Sequence, residues 1–265
     1  MLISIIGLGF VGSAILNTFS KLRKINDNIN LYDKYKNIGR IEDTINSNII
    51  FIALPTPYDD KLKAYNLSAI EETCNYLRNN NNLIVIKSTV LPGTCDELSD
   101  KYNLKIIHNP EFLSAKTANE DFENSNHVVL GKTKNINDDD IKIIKNFYLE
   151  YFPLATYNIC NSKESELMKI FCNSFYAVKV EFFTELYLLS NKLDCSFNLI
   201  RDMMLENKWI NPQHTNIPGS DGKISYGGMC FPKDTNALNE FMKNKESVNY
   251  ILDATIKERN ILRDD

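Results

Sequence analysis

The sequence predicts an α/β fold: a doubly wound, mostly parallel sheet, followed by a small all-helical domain with a long central helix. Three observations carry that prediction. Short apolar runs alternate with helical patterns from Met1 to about Cys160, the order that yields a parallel sheet with helices on both faces. The first apolar run ends in a glycine-rich turn that opens a helix. From Lys163 to about Asn191 the chain carries neither glycine nor proline, a helical stretch far longer than the roughly 11–12 residues usual in globular proteins. The expected domains are residues 1–160 and residues 161–265.

Leu2 to Ile6 is the first strand. Gly7-Leu8-Gly9-Phe10-Val11-Gly12 follows it, then a helix through about Lys24, then a strand from Ile29 to Tyr32 closed by Asp33. Strand, G-x-G-x-x-G, helix, strand and acid in this order form the dinucleotide fingerprint of a Rossmann-like domain. Gly7 makes the turn, Gly9 lets backbone N–H groups reach a pyrophosphate, and Gly12 packs helix on strand. The helix N-terminus offers its positive end to the phosphates. Asp33 falls 21 residues after Gly12, where a ribose hydroxyl needs an acceptor. A carboxylate there repels a 2′-phosphate, so the expected cofactor is NAD, although Lys34 and Lys36 stand close by.

The alternation continues. Ile49 to Leu54 is a strand ending in Pro55-Thr56-Pro57, and Ser68-Ala69-Ile70-Glu71 reads as a capping box opening a helix. Leu83 to Ile86 ends in Lys87-Ser88-Thr89. Lys105 to His108 ends in Asn109-Pro110-Glu111-Phe112-Leu113. His127 to Leu130 ends at Gly131, and a helix near Asp140 to Leu149 and a strand around Leu154 to Tyr157 complete the domain. Ligands bind at the carboxyl ends of such strands, which draws Thr56, Ser88, Thr89 and Glu111 toward one cleft. On the long helix Lys169 and Asn173 are four residues apart and share a face among apolar neighbours.

A helix from about Asn198 to Leu205 leads into an aperiodic stretch, Asn207 to Gly228, holding Pro212, Pro218, Gly219, Gly222 and Gly227. Long irregular loops inside compact domains are often functional. This one delivers Tyr226-Gly227-Gly228-Met229-Cys230-Phe231-Pro232-Lys233-Asp234. A lone cysteine usually reads as a small buried residue. Here the glycine pair and the lysine, which favours a thiolate, make Cys230 the candidate nucleophile. Helices near Thr235 to Met242 and Val248 to Leu262 end the chain.

Net charge −4 and a pI near 5.5 carry no nucleic-acid signature. Six scattered cysteines without a Cys-x-x-Cys pair fit reduced thiols in a cytoplasmic protein. The three histidines lack metal-ligand spacing, so no metal is expected. Met1-Leu2-Ile3-Ser4 enters a strand directly, which argues against a signal peptide, and no apolar run approaches the roughly 18 residues of a membrane span.

Taken together, these motifs resemble the UDP-glucose/GDP-mannose dehydrogenase family over essentially the whole chain. The resemblance rests on the glycine turn, Pro55-Thr56-Pro57, Lys87-Ser88-Thr89-Val90, Pro110-Glu111-Phe112-Leu113, Glu166-Leu167-Met168-Lys169 with Asn173, and Gly227 to Asp234. The stretch His214 to Lys223 is closest to the UDP-glucose-oxidising members. The resemblance implies a four-electron, NAD-dependent oxidation of a nucleotide-sugar C6 alcohol to a carboxylate, with UDP-glucose the expected substrate. It implies Cys230 as covalent nucleophile, Lys169 and Asn173 at the oxyanion, Glu111 as general acid/base, and Asp234 and Thr89 on water. Gly7, Gly9, Phe10, Val11, Gly12, Asp33, Thr56, Pro57, Ser88 and Thr89 fall to the cofactor. Glu111, Phe112, Leu113, Lys169, Asn173, Tyr226, Gly227 and Gly228 fall to the substrate. The apolar content of the Lys163–Asn191 helix points to a homodimer.

Two departures stand out. Ala115 occupies the place of a second glutamate, and the family's third, nucleotide-sugar-binding domain is expected about where this chain stops, at Asp265. That second departure leads one to expect normal NAD binding and weak UDP-glucose binding. It also keeps two other functions in view: a non-catalytic NAD or nucleotide-sugar binder, and a dehydrogenase of a smaller alcohol.

Overall fold

The computed structural model describes residues 1–22 and 29–265. They divide into two compact units, Met1–Pro57 with Tyr65–Lys169, and Tyr58–Ala64 with Ile170–Asp265. In chain order the elements begin β1 (Ile3–Ile6), α1 (Phe10–Leu22), β2 (Ile29–Tyr32), β3 (Ile49–Ile52), the short strands β4 (Tyr58–Asp59) and β5 (Ala64–Tyr65), and α2 (Ser68–Tyr76). There follow β6 (Leu83–Ile86), α3 (Thr94–Tyr102), β7 (Lys105–His108), α4 (Ala118–Glu123), β8 (His127–Lys132), α5 (Asp138–Leu149) and β9 (Thr156–Asn161). The helices α6 (Ser162–Lys192), α7 (Phe197–Glu206), α8 (Phe231–Asn244) and α9 (Tyr250–Leu262) complete the chain.

The first unit is the predicted doubly wound sheet. Its seven strands run in the order β2-β1-β3-β6-β7-β8-β9. All neighbours are parallel except β7 and β8. The central strands are buried along their whole length, because helices cover both faces. Alternation sorts their side chains. Ile3, Ile5, Ile49, Phe51, Leu83 and Val85 join Phe19, Phe122, Phe147 and Tyr148 of α1, α4 and α5 on one face. Ile6, Ile50, Ile52, Ile84, Ile86 and Ile106 join Ile70, Cys95, Leu98 and Tyr102 of α2 and α3 on the other. Each such side chain contributes about 1.5–3 kcal/mol of burial. Phe19 is the hub of the first face, with ring centroids 5.0 Å from Phe147 and 4.4 Å from Tyr151.

Local chemistry moved several boundaries. The capping box expected at Ser68 is not formed: Leu67 is the N-cap without a side-chain bond, and Ser68 donates its N–H to Asn66 Oδ1 at 3.0 Å. A capping box does open α5, where Asn137 and Asp140 exchange bonds of 2.9 and 3.1 Å. A reciprocal pair, Asn161 with Glu164 at 2.9 and 3.0 Å, starts α6. Both answer the unsatisfied N–H groups of a helix start. The last strand runs Thr156–Asn161 rather than around Leu154 to Tyr157, because β9 pairs with β8 from His127↔Thr156 onward. Arg23 and Lys24, expected at the end of the first helix, lie outside the described residues.

The second unit is helical apart from the β4–β5 hairpin tip. Phe183, Phe197 and Ile217 form one core cluster of it with Val180, Leu186, Tyr187, Met204, Ile210 and Ile224. Helix α8 begins four residues earlier than predicted, since Pro232 falls in its first turn, where proline's fixed φ and missing N–H cost nothing. Arg263 closes the unit. Only 7% exposed, its guanidinium donates to Asp221 and Asp265 at 2.7 and 2.8 Å and to the Ser225 carbonyl at 3.3 Å.

Candidate active site

In the first unit the glycine turn between β1 and α1 shows three separate needs. Gly7 has φ +87°, and a Cβ there would lie 2.5 Å from the Ala53 carbonyl oxygen. At Gly12 a Cβ would stand 1.8 Å from the Gly7 carbonyl oxygen. At Gly9 it would meet nothing within 4 Å. Gly7 and Gly12 therefore serve the fold, while Gly9 leaves open space where a ligand approaches the backbone.

Asp33 ties this turn down. Its Oδ2 accepts the Leu8 N–H at 2.8 Å, and its Oδ1 accepts Tyr35 and Lys36 N–H groups at 3.0 and 2.9 Å. Burial pushes its carboxyl up, but these three donors and the Lys36 charge hold it below the usual range. Lys36 Nζ in turn donates to the Leu8 carbonyl at 2.5 Å. Beside the turn lies a cleft of about 480 Å³ whose lining includes Gly9, Phe10, Ser13, Lys36, Ala115 and Lys116. Val11 turns inward and packs against the sheet core. The open Gly9 face, the helix N-terminus and the anchored carboxylate fit the pyrophosphate and ribose of a dinucleotide.

The strand ends are cross-tied. Thr56 Oγ1 donates to the Thr89 carbonyl at 2.8 Å, and Ser88 Oγ to the Leu54 carbonyl at 2.6 Å. Pro57 is exposed and accepts the Asn66 N–H at 2.8 Å. Beyond β7, Glu111 Oε2 accepts the Leu113 N–H at 2.6 Å, while Oε1 lies 3.4 Å from Lys169 Nζ. Both partners are nearly buried, at 12% and 5% side-chain exposure. Lys169 Nζ also stands over the Phe112 ring, 5.4 Å from its centroid. Leu113 packs on the core.

Sequence reasoning gave no role to a buried polar layer under these groups. Lys87 donates to Asn109 Oδ1 at 2.6 Å, which also accepts the Tyr148 hydroxyl at 2.5 Å. Burial pushes the Lys87 ammonium down to about 7. His108 Nδ1 is 2.8 Å from Ser165 Oγ, and burial pushes that imidazole down to about 3. Glu166 accepts the Gly93 and Cys95 N–H groups at 2.6 and 2.8 Å, at the start of α3. Burial pushes its carboxyl up to about 7, against the pull of these donors. The available signal was polar residues where apolar strands end, Lys87 after β6 and His108-Asn109 at the end of β7, and the polar pair Ser165-Glu166 early in α6.

In the second unit, Asn173 Nδ2 donates to Asp234 Oδ2 at 2.6 Å, and Lys233 Nζ donates to Asp234 Oδ1 at 2.5 Å. Asp234 is fully buried, so both carboxylate oxygens are satisfied inside the unit. The Lys233 charge is thus met by a carboxylate. Cys230 is the N-cap of α8, its carbonyl accepting the Asp234 N–H at 3.0 Å, and its side chain is exposed. Gly228 has φ +80° with open space at its Cβ position, whereas a Cβ at Gly227 would lie 2.3 Å from the Arg263 guanidinium. Tyr226 is buried in the unit's interior, its hydroxyl 3.4 Å from Thr235 Oγ1. In the loop, His214 packs against Tyr176 and Phe231, with centroids 4.8 and 5.3 Å away. Among the described residues, no group of three or more His, Cys, Asp or Glu is placed to hold a metal ion, and no helix is long and apolar enough to cross a membrane.

A mostly parallel sheet with a fingerprint turn and an anchored acid at the end of β2 defines an NAD-binding Rossmann-like protein. The chain belongs to the UDP-glucose/GDP-mannose dehydrogenase family: residues 22–151 match its NAD binding domain and residues 163–260 its central domain. NAD is the cofactor of this domain. A UDP-glucose 6-dehydrogenase of Rickettsia bellii is 34% identical over 230 residues, covering 82% of this chain and 50% of that protein. One of Campylobacter jejuni is 28% identical, covering 99% of this chain and 72% of its own length. The structure of a UDP-glucose dehydrogenase from Pyrobaculum islandicum superposes with a TM-score of 0.82 at 22% identity, covering 98% of this chain and 68% of that one. The chain spans about half the length of the Rickettsia relatives it matches.

Proposed function

We propose that this chain carries the catalytic groups of an NAD-dependent nucleotide-sugar 6-dehydrogenase that oxidises UDP-glucose to UDP-glucuronate. The observation that supports it most is on α6. One turn apart, that helix carries Lys169, ion-paired to Glu111, and Asn173, bonded to an Asp234 that lies four residues after Cys230. The names of the relatives from Rickettsia and Campylobacter support the substrate.

In this reading Gly9, the start of α1 and Asp33 hold NAD+, with Thr56, Pro57, Ser88 and Thr89 at the strand ends beside it. NAD+, when bound, supplies the hydride acceptor, one molecule of NAD+ for each of the two oxidations. Glu111 takes the proton of the C6 hydroxyl as the alcohol becomes an aldehyde. Cys230 Sγ, at the N-terminal end of α8 where negative charge is favoured, adds to the aldehyde carbon and forms a C–S bond. Lys169 and Asn173 donate to the oxygen that gains charge. The thiohemiacetal loses its second hydride and a proton and becomes a thioester. Asp234 and Thr89 position water, whose attack breaks the C–S bond, restores the thiol and leaves a carboxylate. Phe112, Leu113, Tyr226, Gly227 and Gly228 shape the sugar's surroundings. The functional division is 1–160 for cofactor and 161–265 for the cysteine and the dimer contact. Reduced, scattered thiols and the soluble substrate fit the cytoplasm.

The test is Cys230→Ser with UDP-glucose and NAD+. The expected result is loss of UDP-glucuronate formation, with the covalent adduct of the native chain mapping to Cys230 alone. Full carboxylate production by the variant contradicts the reading.

A further inference from the structure

The proposed oxyanion lysine is held partly by an aromatic ring, and that ring is itself held. Phe112 is 41% exposed, and a half-exposed phenylalanine in a loop has rotamer freedom that costs free energy to fix. A stacked contact restricts that freedom. The His127 imidazole is stacked on Phe112, with centroids 5.6 Å apart and planes 17° from parallel. His127 opens β8, where its backbone is in register with Thr156 of β9. Two residues further along β9, Asn158 Nδ2 lies 2.8 Å from His127 Nε2. That contact ties the imidazole to the neighbouring strand. A strand-borne imidazole tied to the next strand thus backs a loop phenylalanine.

Among the groups around the Lys169 ammonium are the Glu111 carboxylate at 3.4 Å and the Phe112 ring at 5.4 Å. The carboxylate attracts but does not fix direction. The negative face of the ring supplies a further point of attraction, which narrows where an ammonium sits on its long stem.

We infer that His127 is a positioning residue for the reaction: by stacking on Phe112 it fixes the ring that holds Lys169 in place. The inference rests on the reading of Lys169 as the oxyanion donor for its catalytic consequence, but not for its structural one.

The experiment compares the full chain with His127→Ala, His127→Leu and His127→Phe. One readout needs no substrate: the rate at which acetic anhydride modifies Lys169, followed by mass spectrometry. The second is kcat and KM for NAD-linked oxidation of UDP-glucose. His127→Ala and His127→Leu should raise the modification rate and lower kcat about three- to tenfold, the size a single cation–π contact carries. KM for NAD should stay unchanged. His127→Phe, which keeps a stacking ring without the Asn158 bond, should restore both readouts.

Native-like labelling and kcat in His127→Ala overturn the inference, as does a His127→Phe variant impaired like His127→Ala. Should the alanine variant lose its fold, the leucine and phenylalanine pair still separates ring stacking from bulk. A separate Lys169→Met variant that keeps full activity sinks the oxyanion reading while leaving the labelling result to judge the stack.

Discussion

At the scale of single residues, the buried polar layer beneath the strand ends makes the sharpest prediction. His108 is fully buried with its Nδ1 on Ser165. Burial first, then the Lys87 and Lys169 charges, push the imidazole from 6.5 to about 3, against a backbone contact with Ser88. A base whose folded pKa is depressed contributes stability that is complete above its unfolded value. That stability is lost as pH falls, because only the unfolded chain takes up the proton. The window runs from 6.5 down to about 3. Glu166 acts with the opposite sign: raised from 4.5 to about 7, it contributes stability present below 4.5 and lost as pH rises to about 7. Comparing His108→Gln with the native chain cancels the Glu166 effect. Urea midpoints measured from pH 6.5 to 4 should fall less steeply in the variant. Parallel pH profiles show that His108 does not control acid stability. Neither residue was recognisable in advance as titrating, because His108 and Glu166 sit in motifs whose outward neighbours, Glu111 and Lys169, drew the chemical reading.

Elements were legible where one physical rule decided them. Continuous apolar runs such as Ile49 to Ile52 and Leu83 to Ile86 announced buried parallel strands, since only helices on both faces keep such runs from water. The absence of glycine and proline announced α6. What escaped was short or decided by tertiary contact. The β4–β5 hairpin has strands of two residues each. Helices α3 and α4 span nine and six residues, below the length at which periodicity is readable. The start at Ser68 looked like a capping box because the pattern Ser-x-x-Glu was present; Asn66, two residues earlier, supplied the bond instead. On α6, Phe171, Phe175, Phe182 and Leu189 recur at intervals of four and seven and are 44%, 62%, 60% and 54% exposed. A stripe of that kind on one helix face marks an interface, which is why a second copy is the proposed occupant. Light scattering at micromolar concentration should give twice 30.5 kDa for the native chain. Phe175→Glu with Phe182→Glu should give the single mass, since burying two carboxylates in an apolar seam is costly. A native monomer contradicts the proposed dimer.

At the scale of the whole molecule, the proposed chemistry is divided between the units. The cofactor turn, Glu111 and Lys169 belong to the first, and Asn173, Cys230 and Asp234 to the second. A change confined to the cofactor turn should therefore silence NAD binding without altering the cysteine's own surroundings. Gly9 allows that test, because the fold and the ligand ask different things of it. A Cβ there meets nothing within 4 Å, and no left-handed φ requires glycine. Gly9→Val should fold with a native Tm, while its side chain occupies the space through which a pyrophosphate reaches the N–H groups of the turn. The control is Gly12→Ala, whose methyl would lie 1.8 Å from the Gly7 carbonyl oxygen. It should lower Tm, because backbone rather than a flexible side chain has to move. Calorimetry should find NAD affinity reduced at least about tenfold in Gly9→Val, the loss of roughly 1.4 kcal/mol or more expected when charge-assisted hydrogen bonds to phosphate are blocked. Iodoacetamide should still alkylate Cys230 at the native rate in that variant. Unchanged NAD affinity would place the dinucleotide elsewhere than the Gly7–Gly12 turn. A changed alkylation rate with an unchanged Tm would show that the cofactor turn and the cysteine are coupled in the absence of any ligand.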